Sequence, residues 1–189
     1  VIGVLWGATA GYVGGWLDTV MMRVVDAIMA FPTLLLLITV MAVFRPSIYN
    51  VMIVLGLTSW PGISRFVRAE ILSLKEREFA EAARASGAGD FRIMFRHILP
   101  NATGPIIVAA TLGLANAILS ESALSFLGIG VQPPQASWGN MLTNAQDLTS
   151  MLFAPWKAFF PGLLIFITVL SFNFLGDGLR DALDPRLKQ

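Results

Sequence analysis

Residues 98–120 read ILPNATGPIIVAATLGLANAILS, 23 positions without one charged side chain. An α-helix rises roughly 1.5 Å per residue, so such a run covers the roughly 30 Å of hydrocarbon in a bilayer. Working outward, charge-free runs recur at 27–44, 46–64 and 158–176, of 18, 19 and 19 residues. A fifth, shorter apolar stretch occupies 1–16. One such run suits the buried helix of a water-soluble core, but four in 189 residues do not. Hydrophobic residues make up 56% of the chain and charged ones 13%, against about 25% charged in soluble domains. The sequence therefore predicts an all-α polytopic helix bundle in a lipid bilayer, a single domain over 1–189 with five spans. Val1 lies inside an apolar run, with no Met and no basic flank, so the chain is expected to be truncated at its N-terminus, without a signal peptide.

Several kinds of chemistry are excluded. There is no cysteine and one histidine, His97, which leaves no disulfide, no cysteine catalysis and no multi-histidine zinc site. Lys75, Lys157 and Lys188 follow Leu, Trp and Leu, so no phosphate-binding G-x-x-x-x-G-K-[ST] loop exists. Neither H-E-x-x-H nor G-x-S-x-G occurs. A net charge of +1 gives no electrostatic footprint for nucleic acid. The expectation is a protein with no catalytic residues, metal site or cofactor of its own.

Basic residues set the orientation. Taking alternate connections, eleven Lys and Arg fall on one side and two, Arg45 and Lys157, on the other. Residues 65–97 and the C-terminal tail are therefore expected in the cytoplasm and residues 131–155 outside. That outer stretch carries Trp138, with Trp156 directly after it, and both suit a membrane–water interface.

Gly3, Gly7, Gly11 and Gly15 recur every four residues, one stripe of small residues on a helix. The stripe fits close packing within this subunit, or against another subunit. Pro32, Pro61, Pro105 and Pro161 lie in or near the spans and each removes a backbone donor. Glu121 is an ionisable residue at the outward end of a span, which makes it a candidate for the substrate path, with Asn116 and Asn173 as weaker ones. Its alternatives are the outer interface or a polar neighbour.

The cytoplasmic segment 66–100 carries the most information. Residues 70–86 are rich in helix formers. Phe79, Ala82, Ala83 and Ser86 share one helical face, three of the four being small. Gly87 stands where a helix would stop, and Asp90 is placed to N-cap a second, short helix. In that helix Phe91, Met94, Phe95 and Ile98 share a face, with Arg92 and Arg96 on the other side, and Pro100 ends the pattern. Two short helices with apolar faces, joined by a glycine turn, can dock on a protein or lie on lipid. The residue pattern alone leaves both open.

Glu81-Ala82-Ala83, three residues, Gly87, nine residues, then His97-Ile98-Leu99-Pro100 resembles the EAA signature of permease subunits of binding-protein-dependent ABC importers. His97 departs from it, standing where the general pattern has Ile. The residues at 11–16, 122–128, 132–134 with 137–139, and 176–181 with 184–186 look like the dipeptide, oligopeptide and nickel subgroup, in which His-Ile-Leu-Pro is familiar. The resemblance implies the type I importer transmembrane domain, usually six spans, of which five are visible.

It further implies that 66–100 is a coupling helix-turn-helix inserted into a cytoplasmic ATPase. Glu81 would make a polar contact, Ala82 and Ala83 would allow close approach, and Gly87 would turn the chain. Phe91, Met94, Phe95, Leu99 and Pro100 complete the expected dock. The implied partners are ATP-binding subunits, which would hold ATP and Mg, a second homologous permease subunit, an extracytoplasmic substrate-binding protein and the lipid bilayer. The implied place is the bacterial or archaeal cytoplasmic membrane. The rival readings are an ion-driven transporter using Glu121 and a non-transporting membrane scaffold. The first predicts transport without any ATPase and leaves residues 70–100 unexplained, and the second predicts no substrate flux.

Overall fold

The computed structural model describes residues 1–44 and 47–183. Arg45, Lys188 and the motif residues at 184–186 lie outside the described residues. All regular structure among the described residues is helical: α1 (Ile2–Val13), α2 (Gly15–Met29), α3 (Thr33–Val43), α4 (Ile48–Lys75), α5 (Glu78–Ala85), α6 (Asp90–Arg92), a π-helical turn (Ile93–Ile98), α7 (Leu99–Phe126), α8 (Trp138–Thr143), α9 (Leu148–Phe153) and α10 (Trp156–Leu183).

The helices divide into two compact units. One comprises Val1–Ala30, Ser59–Ala110 and the chain from Gly176 onward; the other comprises Phe31–Thr58 and Thr111–Leu175. In the first, α1 lies along the second half of α4. A Cβ on Gly3, Gly7 or Gly11 would come within 3.0 Å of the carbonyl oxygens of Trp60, Ser64 and Arg68. The glycine stripe thus packs within the subunit. Gly15 does not belong to it: α1 ends at Val13, and Gly14 and Gly15 turn the chain with φ of 72° and 62°. Only glycine holds two successive left-handed residues at so little cost.

Helix α2 turns its polar face toward α4. The buried Asp18 accepts two bonds from Arg68, at 2.5 and 2.6 Å, and Asp26 accepts one from Arg65 at 2.5 Å. Trp16, Val20 and Val24, on the opposite side, are exposed. Trp6 donates its indole N–H to the Met21 carbonyl and stacks at a tilt on Trp60, with ring centroids 5.3 Å apart. A small core of Ala8, Tyr12, Val67, Ile71, Ala80, Ile93, Met94, Ile98 and Ala102 closes this unit.

In the second unit Leu37 and Met41 of α3 pack with Val51, Val54 and Leu124. The last carbonyls of α7 are satisfied from α8 and the turn after it. Thr143 donates to Ser125 O at 2.8 Å and Gln146 to Phe126 O at 2.9 Å. Ser137 caps α8 and Asp147 caps α9, accepting from the amides of Asn140 and Ser150. Trp138 is half-buried and Trp156 is exposed.

The expected spans are realised unevenly. Asp90–Phe126 and Trp156–Leu183 are each long and apolar enough to cross a membrane. The span expected over 27–44 is broken at Ala30–Pro32, between α2 and α3. Pro32 offers no N–H and restricts the residue before it, so α2 stops and α3 starts afresh. If that broken pair is one span, three helices qualify. Helix α1 is apolar but short, and the apolar half of α4, expected as the span 46–64, is diluted by Asn50, Thr58, Ser59 and Gly56. Pro61, Pro105 and Pro161 lie inside unbroken helices.

Gly7→Ala should lower the unfolding midpoint in detergent, because overpacking against main chain costs about 1–3 kcal/mol. Gly62→Ala, in α4 with open space around it, should stay within about 0.5 kcal/mol of the parent. Equal melting curves for the two variants would refute the close α1–α4 approach.

Candidate functional site

The helix expected over 70–86 is broken in two. Helix α4 ends at Lys75, Arg77 is extended, and α5 begins at Glu78. Every residue around the break is a fair helix former, so tertiary contacts override propensity here. Ala80 is drawn fully into the core, and the Lys75 ammonium donates to the Tyr12 carbonyl at 2.6 Å. Arg84 reaches back to donate to Lys75 O at 3.0 Å.

The face of α5 read from the sequence is open. Phe79, Glu81, Ala82 and Ser86 are exposed and Ala83 is half-buried, while Ala80 faces inward. Gly87 then stops the helix as expected. Its φ is 78°, its amide donates to Arg84 O at 2.9 Å, and the Ala88 amide donates to Ala83 O at 3.1 Å. This pair of bonds is a Schellman motif, which satisfies two terminal carbonyls and needs a left-handed residue at the glycine. Ala88 and Ala83 both pack against the core, the apolar contact that accompanies the motif.

Asp90 does not cap the following helix. It is the first helical residue, its side chain makes no cap bond, and its Oδ1 accepts a hydrogen bond from Tyr12 Oη at 2.8 Å. The cap rule is local, whereas this partner lies 78 positions away. Nor does the second helix stop at Pro100. Asp90–Phe126 is one continuous helix of 37 residues. The π turn accommodates the proline: Pro100 cannot donate to Arg96 O, and its ring would clash with that carbonyl. Residues 93–98 widen instead, and Leu99 N–H donates five residues back to Met94 O.

Widening also splits the expected apolar face. Met94 and Ile98 are buried at 9% and 0% exposure, with Ile93 beside them. Phe91 and Phe95 stay out, at 76% and 39%, with ring centroids 4.4 Å apart. Leu99 is half-buried and Pro100 exposed. Sequence reasoning missed Ile93, because a 3.6-residue period does not hold through a π turn, and missed Ala80, because its inward face in α5 is set by the core it meets rather than by a local pattern. Arg92, Arg96 and His97 line a hollow of about 450 Å³ with Ala83, Ser86, Gly87 and Ala88. Its wall is cationic and small-residued, suited to receiving a polar or acidic group.

The pathway candidates are placed separately, in the second unit. Glu121 is half-buried and its Oε1 accepts from Ser125 Oγ at 2.7 Å; the same hydroxyl accepts from Val131 N at 2.9 Å. Glu121 thus has the polar neighbour that was one of its two alternatives. Asn116 is exposed, its carbonyl accepting from Ser120, and Asn173 is half-buried.

Residues 3–189 match the family model described as binding-protein-dependent transport system inner membrane component. The dipeptide transport system permease protein DppC of Alkalihalophilus pseudofirmus is 46% identical over 188 residues, all of this chain and 61% of that protein. The oligopeptide transport system permease protein OppC of Bacillus subtilis is 43% identical over 189 residues, again 61% of its length. The glutathione transport system permease protein GsiD of Escherichia coli is 49% identical over 187 residues, 99% of this chain and 61% of that protein. The chain therefore spans about three-fifths of the length of these relatives.

The division of the apolar face has a direct consequence for stability. Met94→Ala should destabilise by about 2–5 kcal/mol, as a buried truncation does. Phe91→Ala should cost about 1 kcal/mol or less, its ring being mostly exposed beside Phe95. Thermal denaturation of the two purified variants checks this, and a larger loss at Phe91 would invert the assignment.

Proposed function

This chain belongs to the family of inner membrane components of binding-protein-dependent transport systems, and from that premise we propose that it is a permease subunit of an ATP-driven importer, a transport subunit and not an enzyme. It forms part of the translocation pathway as one transmembrane domain. A separate ATPase binds ATP and Mg and docks on residues 66–100. A second homologous permease subunit faces it across the pathway, and an extracytoplasmic binding protein delivers substrate to residues 131–155. Residues 65–97 and the C-terminal tail lie in the cytoplasm of a bacterium or archaeon, and the rest is embedded in or outside the cytoplasmic membrane. The substrates favoured are dipeptides or oligopeptides, because the relatives are named for dipeptide, oligopeptide and glutathione transport; nickel complexes are the second class.

One observation carries the reading. The open face of α5, with Glu81, Ala82 and the Gly87 turn, is followed by the exposed Phe91–Phe95 pair on a helix that runs without a break to Phe126. Small residues admit a partner's backbone closely, and two adjacent exposed rings supply apolar anchors for it. A push on that surface is delivered to α7 through continuous hydrogen-bonded helix. Glu121, Asn116 and Asn173 remain the candidates for lining the path.

Replacing Gly87 with Trp tests the dock. A bulky residue is strained at φ 78°, by about 1–2 kcal/mol, and it stands on the docking face. The variant should insert into the membrane normally, yet lose co-purification with the ATPase subunits and ATP-driven dipeptide uptake in proteoliposomes. Full coupled uptake in the Gly87→Trp protein would overturn the proposal, and uptake of Ni²⁺ in place of dipeptide would reassign the substrate.

A further inference from the structure

Helix α1 lies far from the docking segment in sequence, yet the two meet at a polar junction. Tyr12 Oη donates to Asp90 Oδ1 at 2.8 Å from a side chain that is otherwise buried. The Lys75 ammonium sits 5.4 Å from the centroid of the same Tyr12 ring and donates to the Tyr12 carbonyl at 2.6 Å. That carbonyl is in the last turn of α1, where helical carbonyls lack internal partners and a cation is favoured. Arg84 closes the cluster by donating to Lys75 O. One tyrosine therefore gathers the end of α1, the end of α4, α5 and the start of α6.

We propose that the Tyr12–Asp90 bond is a latch that carries movement of the docking segment into α1, and that Tyr12 is a positioning residue for coupling. The proposal rests on the reading of 66–100 as an ATPase dock. Its physical basis is the way the segment is otherwise attached. At one end it is joined to α4 through the two-residue break at Glu76 and Arg77. At the other it continues into α7 through the π turn. Neither link reaches α1. The apolar contacts of Tyr12 and Ala8 with the shared core are non-directional and tolerate sliding. A hydrogen bond from a hydroxyl to a carboxylate is short and directional, and here the buried Tyr12 holds it partly out of solvent. It fixes the start of α6 in register with α1. Because α1 lies against α4 backbone to backbone, a displaced α1 cannot move alone. Asp90 gives up helix capping to make this bond, while its charge still sits favourably in the first turn of α6.

The test uses the assembled transporter in proteoliposomes with the parent chain, Tyr12→Phe, Asp90→Ala, which removes the acceptor, and the double variant. Tyr12→Phe keeps the ring, its contact with Lys75 and the carbonyl. ATPase co-purification should be retained in all four. Substrate transported per ATP hydrolysed should fall about fivefold or more in each single variant, and the double should be no worse than the worse single. A parent-like transport ratio in the singles, or additive losses in the double, overturns the latch. A second readout does not depend on transport. In the isolated protein, Tyr12→Phe should speed amide exchange across residues 87–98 by about tenfold relative to α10. Unchanged exchange there also overturns the latch. A parent protein that shows no ATP-driven uptake while Tyr12→Phe loosens 87–98 would defeat the transport reading and leave the junction standing.

Discussion

Helix α1 approaches α4 so closely that a single methyl group at Gly3, Gly7 or Gly11 would meet a main-chain oxygen. In lipid no hydrophobic force draws two apolar helices together, so intimate van der Waals contact has to do so, and small residues permit it. Much else depends on that contact. It sets the depth at which Tyr12 meets Lys75 and Asp90. It also places α2, which leaves α1 through the Gly14–Gly15 turn, where Asp18 and Asp26 can meet Arg68 and Arg65. A wider spacing would leave the buried Asp18 without its partner, and an unpaired charge at such a site is costly.

Helix α2 then solves a problem specific to a chain at a membrane boundary. Its carboxylates point into the protein and its Trp16, Val20 and Val24 point away. This inverts the arrangement of a surface helix in water, where the apolar stripe faces the core. The inversion is stable only where the outer face meets something apolar. Beyond Pro32 the apolar α3 carries no charge from Thr33 to Val43.

The sequence made the apolar runs, the glycine stripe and the docking signature legible because each is a local pattern. Gly3, Gly7 and Gly11 needed only their spacing. Gly15 was misplaced because the same spacing continues beyond the end of α1, and nothing in four-residue periodicity marks where a helix stops. The Gly87 turn was legible because a left-handed stop has a residue preference. The face after it was not. A period of 3.6 assigned Phe91, Met94, Phe95 and Ile98 to one side, whereas the π turn buries Met94 and Ile98 and leaves the two phenylalanines out. Asp90 followed the cap rule in sequence and broke it in space, because Tyr12 competes for its carboxylate. The break at Glu76 and Arg77 has no local signal, being imposed by what Ala80 and Lys75 touch.

The π turn matters for more than side-chain placement. A proline one residue inside α7 would ordinarily kink or end the helix before it. A kink there would put a hinge between the docking surface and the membrane helix, and a hinge absorbs displacement. Widening residues 93–98 removes the clash without interrupting the helix, because Leu99 bonds five residues back where a bond four residues back is lost. The other end of the dock does contain a break, at Glu76 and Arg77. The proposed docking segment is thus continuous in backbone helix with α7, whereas across the break to α4 it is held by the Arg84 bond to Lys75 O and by Ala80 in the shared core. Under the proposed coupling, the directional bond from Tyr12 to Asp90 is what would tie a displacement of the segment to α1 and, through the close packing of α1, to α4.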